Sequence, residues 1–349
     1  MSGAAPHTAD RPSTERPILR VRDLVVHYRT RQGIVHAVNG VSFDLARGET
    51  LGVVGESGCG KSTTGRAVIG LPPPTSGTVL FDGVDLTRLG SARLRALRPR
   101  MQIVFQDPIA SLNPRRSIRD IVATPLRLWN RAAGPEVDRR VDDLLRSVGM
   151  DPSVVGDRRP REFSGGQCQR VSIARALALD PDLLICDEPV SALDVSVQAQ
   201  ILNLLEEIRT SRHLAMIFVS HDLGVVKNVS DRIAVMYLGT ICELAPTDVL
   251  FARPAHPYTA TLLAAMPGND AISHESAGIT STSSASEPPS PIDPPSGCPF
   301  RTRCVFAQYR CAQERPVPRQ IAPGHEVACH FPLSTAPGDA PADRALVNE

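Results

Sequence analysis

One nine-residue stretch constrains this chain more than any other: Gly55-Glu56-Ser57-Gly58-Cys59-Gly60-Lys61-Ser62-Thr63. It fits the pattern G-x-x-x-x-G-K-[ST]. The apolar run Leu51-Gly52-Val53-Val54, of strand type, precedes it, and Thr63 to Ile69 can continue as a helix after it. Strand, glycine-rich turn and helix in that order form the context a phosphate-binding loop requires. Glycines let backbone N–H groups converge on phosphate oxygens with no side chain in the way. Lys61 brings a point charge to the β- and γ-phosphates, Ser62 offers a hydroxyl to Mg²⁺, and the helix N-terminus adds its positive end.

Further along, Leu183-Leu184-Ile185-Cys186-Asp187-Glu188 reads as an apolar strand ending in two acids. Asp187 suits a Mg²⁺-bound water, and Glu188 suits a general base that orients an attacking water. Just upstream lies Phe163-Ser164-Gly165-Gly166-Gln167, followed by Cys168-Gln169-Arg170. This stretch resembles the signature motif of ABC-transporter ATPases. The order along the chain is similar to that family too: phosphate loop, Gln106, signature, Asp187-Glu188, Ser191-Ala192-Leu193-Asp194, then His221. The resemblance covers about residues 18–268.

The resemblance implies a P-loop NTPase of ABC type, α/β in class. It carries an N-terminal antiparallel β subdomain, an inserted helical subdomain over about 107–180, and ATP with Mg²⁺ as its ligands. It also implies roles for matching residues. Tyr28 would stack on adenine, although an aromatic in a strand is ordinary in any case. Gly55, Ser57, Gly58, Cys59, Gly60, Lys61, Ser62 and Thr63 would bind phosphate. Ser62 and Gln106 would hold Mg²⁺, Asp187 a water on it. Glu188, His221 and Gln106 would be catalytic. Ser164, Gly165, Gly166, Gln167 and Asp194 would act in trans, on the nucleotide of a second subunit, so that two chains sandwich two ATP molecules head to tail. Cys168 stands where the family often has a basic residue.

Composition fits a water-soluble machine. The formal net charge is +1 over 349 residues, which argues against a bulk nucleic-acid binder. No run of 18 apolar residues is present to span a membrane. Lys61 and Lys227 are the only lysines, so a lysine at the phosphate loop stands out in a chain that otherwise uses arginine. Val137, Val141, Leu144, Leu145 and Val148 recur at helix spacing, as do Val197, Ile201, Leu204, Leu205 and Ile208; both stripes read as core faces. Leu183–Cys186, Met216–Val219 and Ile233–Tyr237 read as buried strands. Residues 1–17 are polar and read as a flexible lead-in, and 333–349 as a flexible tail.

From Asp270 to Ser296 the chain is rich in serine, threonine and proline, so 269–296 reads as a linker. A four-cysteine module over 297–332 follows. Cys298, Cys304, Cys311 and Cys329 are separated by five, six and seventeen residues, which matches neither a zinc ribbon nor a ferredoxin. In a cytosolic setting such cysteines point to ligation rather than disulfides. Arg253-Pro-Ala-His-Pro-Tyr-Thr259, Gly297-Cys-Pro-Phe-Arg-Thr-Arg-Cys304 and Gly324-His-Glu-Val-Ala-Cys-His330 are similar to the tail of the oligopeptide/dipeptide subfamily of importer ATPases. That resemblance implies a [4Fe-4S] cluster on the four cysteines. Zinc or unligated thiols are the alternatives, and the group could be a staple or a redox sensor.

The expected function is therefore an ATP-hydrolysing subunit on the cytoplasmic face of the membrane that powers peptide import. It would work with a second ABC ATPase subunit, two permease subunits and an extracytoplasmic substrate-binding protein. Nickel or another small solute is the alternative cargo. A transport-independent ABC ATPase and an iron–sulfur sensor are rival readings, but neither a second motif set nor a sustained heptad repeat is present.

Overall fold

The structure is a computed structural model that describes residues 16–266 and 287–333. Most of the expected lead-in, of the linker and of the expected tail lies outside the described residues.

The chain opens with a long hairpin, β1 (Leu19–Thr30) and β2 (Gly33–Leu45). Leu19 and Val21 are buried at odd positions and Leu24 and Val26 at even ones. A break in register between Val21 and Leu24, with Asp23 in the left-handed region, makes the switch. A single extra residue moves every later side chain to the other face, so the bulge keeps the apolar side toward the core. The wholly buried β3 (Thr50–Val54) follows, then α1 (Lys61–Ala67). The pair β4 (Ser76–Phe81) and β5 (Val84–Asp85) turns at Asp82-Gly83, both left-handed. A four-stranded antiparallel sheet results, in the order β2-β1-β4-β5.

After α2 (Ser91–Leu97) and β6 (Met101–Val104) comes a helical stretch. It comprises α3 (Pro108–Ser111), α4 (Ile118–Leu128), α5 (Pro135–Ser147), α6 (Pro152–Val155) and α7 (Gly165–Leu177). Val137, Val141, Leu144 and Leu145 form the buried face of α5, as their spacing predicts. The remainder alternates: β7 (Leu183–Asp187), α8 (Val195–Arg212), β8 (Ala215–Val219), α9 (Leu223–Val229), β9 (Arg232–Tyr237), β10 (Thr240–Pro246), α10 (Thr247–Ala252) and α11 (Pro257–Ala264). The C-terminal part adds α12 (Tyr309–Gln313), β11 (Arg319–Ala322) and β12 (His325–Val327).

The main sheet runs β11-β12-β10-β9-β3-β8-β7-β6, with β9, β3, β8, β7 and β6 parallel. β3, β7 and β8 at its centre are buried at every position, and successive side chains enter opposite cores. On β8, Ala215, Ile217 and Val219 join the core shared with the antiparallel sheet. Met216 and Phe218 join the core shared with the helices. Period-two alternation across a doubly covered sheet produces this split, and it reads in sequence as a continuous apolar run.

The C-terminal segment is not a satellite. β12 pairs antiparallel with β10, so the cysteine-bearing region extends the main sheet. Fully buried Glu243 on β10 accepts the backbone N–H groups of Ala255 and His256 at 2.7 and 2.8 Å, and its Oε1 lies 2.7 Å from His325 Nε2 on β12. Residues 287–296, in the stretch expected to be linker, hold no helix or strand. They still lie against β2, where His36 N–H donates to Pro291 C=O at 2.9 Å. Among the described residues no helix is long and apolar enough to cross a membrane.

Candidate active site

Gln106, Glu188 and His221 each follow the carboxyl end of a parallel strand, β6, β7 and β8, and the glycine-rich loop follows β3. These strands are neighbours, so residues up to 166 positions apart in sequence converge at one sheet edge, as is general for ligand sites in open α/β sheets. They line one cleft of about 570 Å³, together with Tyr28, Val35, Ala37, Ser57, Gly58, Gly60, Lys61, Ser62, Thr63 and Pro291. That size suits a nucleotide-sized ligand.

The loop is held in a shape only glycine permits at two points. Gly55 and Gly60 have φ of 149° and 103°, and a Cβ on either would come within 2.2 Å of a backbone carbonyl, that of Met236 or Ala37. Lys61 is 4% exposed, and its ammonium donates to Gly55 C=O at 2.8 Å and Glu56 C=O at 2.9 Å. An ammonium carries three N–H donors, so one remains for a phosphate oxygen.

Glu188 sits at the turn after β7 with φ 49°, an uncommon conformation for a non-glycine residue, fixed by its N–H donating to Val219 C=O at 3.0 Å. Gln106 Nε2 donates to Glu188 Oε2 at 3.0 Å, and His221 Nδ1 lies 3.3 Å from the same oxygen. The carboxylate is thus held from two sides by residues of the flanking strands.

Several expected site residues sit elsewhere. Asp187 is buried and does not line the cleft; Arg66 Nε and Nη2 grip its Oδ2 at 3.0 and 2.7 Å. Its Oδ1 is buried without a hydrogen-bond partner among the described residues. Sequence reading missed Arg66 because nothing in its spacing marks it. The Cys59 side chain packs into the apolar core, and burial, its largest influence, raises its thiol above the ordinary value. Gly55 acts through its carbonyl on Lys61 rather than by lining the cleft.

Ser164, Gly165, Gly166, Gln167 and Asp194 are away from the cleft. Ser164 caps α7: its hydroxyl accepts Gln167 N–H at 3.3 Å, and Gln167 Oε1 accepts Ser164 N–H at 3.0 Å. This reciprocal pair satisfies two orphan helix donors, while Ser164 and Gln167 stay exposed. Asp194 stands ahead of α8 and makes no side-chain cap, next to Val195, which is 83% exposed.

The cysteines predicted as ligands are brought to one cavity. Cys298, Cys304, Cys311 and Cys329 line it with Phe300, Phe306 and Phe331. Burial dominates their surroundings and raises the thiols of Cys298, Cys304 and Cys329, Cys304 to about 11 and Cys329 to about 12. Among the described residues no group of three or more His, Cys, Asp or Glu side chains is spaced to hold a metal ion.

The cleft on the carboxyl edge, with a phosphate loop opposite a braced glutamate, defines a nucleotide-binding cassette, and comparison with known proteins agrees. Residues 38–191 match the ABC transporter family, and the chain belongs to it. Residues 242–311 match the C-terminal region of oligopeptide/dipeptide transporters. The chain is 47% identical over 330 residues to the oligopeptide transport ATP-binding protein AppF of Bacillus subtilis, covering 91% of this chain and 98% of that one. It is 48% identical over 322 residues to OppF of Escherichia coli, covering 89% and 95%. Among solved structures, it is similar to the ATP-binding cassette MJ0796 in a dimeric post-hydrolysis state bound to ADP and Pi. The TM-score there is 0.60 at 28% identity, over 66% of this chain and 98% of that one. CbiO1 of Clostridium perfringens, part of the ABC transporter complex cbiONQ, gives 0.61 at 31%, over 68% and 92%.

Proposed function

We propose that this chain is the ATP-hydrolysing subunit of a peptide importer and works on the cytoplasmic face of the cell membrane. The observation that carries the chemistry is Glu188 Oε2 held jointly by Gln106 and His221 in the same cleft as Lys61 and Ser62. Glu188 orients a water for in-line attack on the γ-phosphorus and takes its proton. Lys61 and the loop N–H groups bind the phosphate oxygens, and Tyr28, 38% exposed at the cleft wall, offers its ring to adenine. Ser62 and Gln106 would hold Mg²⁺, and Asp187, whose buried Oδ1 has no partner among the described residues, would meet a water on it. Bound Mg²⁺ would supply charge neutralisation at the phosphates.

Peptide as cargo rests on the two relatives named for oligopeptide transport and on the matching C-terminal region. Ser164–Gln167 and Asp194, none of which lines the cleft and of which Ser164, Gln167 and Asp194 are exposed, would close the ATP site of a second, different ATPase subunit. Two permeases and an extracytoplasmic substrate-binding protein would complete the machine, which has no role for nucleic acid. In Glu188→Gln, ATP binding should persist, the closed dimer should accumulate, and turnover should fall at least ~10²-fold. Near-normal phosphate release by that variant with its partner subunit would refute the assignment.

For the C-terminal segment, residues 297–332, we propose a [4Fe-4S] cluster on Cys298, Cys304, Cys311 and Cys329, acting as a staple. Support comes from the shared cavity, whose aromatic walls shield the thiols from water. Ligation requires thiolates, so the protons that burial holds on these thiols must leave as the sulfurs draw together. Cys304→Ser should lower iron per chain in anaerobically purified protein. Unchanged iron content would count against the ligand set.

A further inference from the structure

The cysteine-bearing segment touches the phosphate loop through one side chain. Arg303, one residue before Cys304, is 8% exposed, and its Nη1 donates to Glu56 Oε2 at 2.8 Å. Its guanidinium also lies 5.8 Å from the Tyr237 ring and 5.9 Å from the Phe300 ring, within cation–π range. The hydrogen bond to Glu56 is the largest influence on Arg303 and raises it above the ordinary arginine value. No other acid forms an ion pair with Arg303 among the described residues.

Every polar group of Glu56 is engaged. Its N–H donates to the Tyr258 hydroxyl at 3.0 Å. Its C=O accepts Lys61 Nζ at 2.9 Å and Cys59 N–H at 3.3 Å. Its carboxylate takes Arg303. Behind it, Tyr237, Tyr258 and Phe300 pack with ring centroids 4.7 to 5.2 Å apart, and Phe300 again comes from the cysteine-bearing segment. One residue therefore lies between the ammonium that meets phosphate and the turn that carries Cys304.

We propose that Arg303 is a positioning residue of the nucleotide site: through Glu56 the cysteine-bearing segment fixes the carbonyls that aim Lys61, and so sets ATP affinity. The inference rests on reading the loop as the ATP site, but not on what the cysteines bind. Removing one member of a largely buried ion pair strands the other charge, whereas removing both does not. The stranded group here is on the loop itself.

The test measures MgATP affinity by calorimetry and thermal midpoint in parallel, on the full chain. The variants are Arg303→Gln, Arg303→Lys, Glu56→Gln and the Arg303→Gln/Glu56→Gln pair. Arg119→Gln, which breaks an ion pair to Asp142 between α4 and α5, serves as the control. Arg303→Gln should weaken ATP binding about tenfold, the scale seen when an outer partner of a binding group is lost. Arg303→Lys should recover most of that loss, and the double variant should bind better than the two single losses added together. Arg119→Gln should lower the midpoint and leave affinity within about twofold. If Arg303→Gln does not fold, Arg303→Lys and Glu56→Gln against the double variant decide the question. A lowered midpoint with ATP affinity unchanged, or losses that simply add, overturns the inference. Failure of the unsubstituted chain to bind MgATP would instead strike the functional reading beneath it.

Discussion

The phosphate loop and the signature end of α7, the two surfaces proposed to meet nucleotide, are built in opposite ways. The phosphate loop is braced from behind: Lys61 is buried, two carbonyls hold its ammonium, Glu56 is tied through its N–H, C=O and Oε2, and two glycines press against backbone. At the signature end of α7, Ser164 and Gln167 are exposed and pair only with each other in the cap. A half-site that binds alone must arrive already ordered, since ordering it at binding would cost affinity. A half-site that acts only across an interface can wait in water, at the small cost of a self-made cap.

Substitutions should separate the two. The largest effect is expected for Gly55→Ala, whose Cβ would meet Met236 C=O at 2.2 Å. ATP binding by the isolated chain should fall below detection in calorimetry. Retained affinity would show that the loop is softer than its contacts imply. Ser164→Ala should leave ATP affinity of the isolated chain unchanged. It should lower stability by about 1 kcal/mol through the lost cap and cut turnover with the partner subunit at least ~10-fold, the low end for losing a phosphate-facing group. A fall in the isolated chain's own affinity would break the contrast.

The last difference is a pH dependence that arises in the braced half and leaves activity near neutral pH unchanged. His256 is 2% exposed, its Nδ1 accepts Tyr258 N–H at 3.0 Å, and burial pushes it down to about 4. Its folded value lies below the unfolded one near 6.5, so the unfolded chain binds the extra proton between those limits. Stability is then full above about pH 6.5 and drains toward pH 4, by at most about 1.4 kcal/mol per pH unit. His256→Gln should flatten the thermal midpoint across that window.

The sequence made the strand-end edge legible because each element there leaves a local mark. Val53-Val54, Ile185-Cys186 and Phe218-Val219 are short apolar runs, and each is followed within a few residues by a distinctive polar group. The amphipathic stripe of α5 was equally plain. What stayed hidden depends on distant partners. Arg66 and Asp187 are 121 positions apart, and Arg303 and Glu56 are 247. Arginines are spread throughout this chain, so no composition signal marks either one. β11 and β12 are short, and one of their few anchors, His325, meets a glutamate 82 residues away. A serine- and proline-rich stretch reads as linker although Pro291 returns to β2, because one backbone hydrogen bond needs no particular side chain.

The added hairpin has a consequence for how the protein is made. β10 would show a raw strand edge, and the Glu243 carboxylate would lack its one side-chain partner, until residue 325 has left the ribosome. Synthesis runs from the N-terminus at about 5–20 residues per second. The nucleotide half is therefore translated several seconds before the piece that seals it, and nascent chains in that interval are the ones most in need of a chaperone.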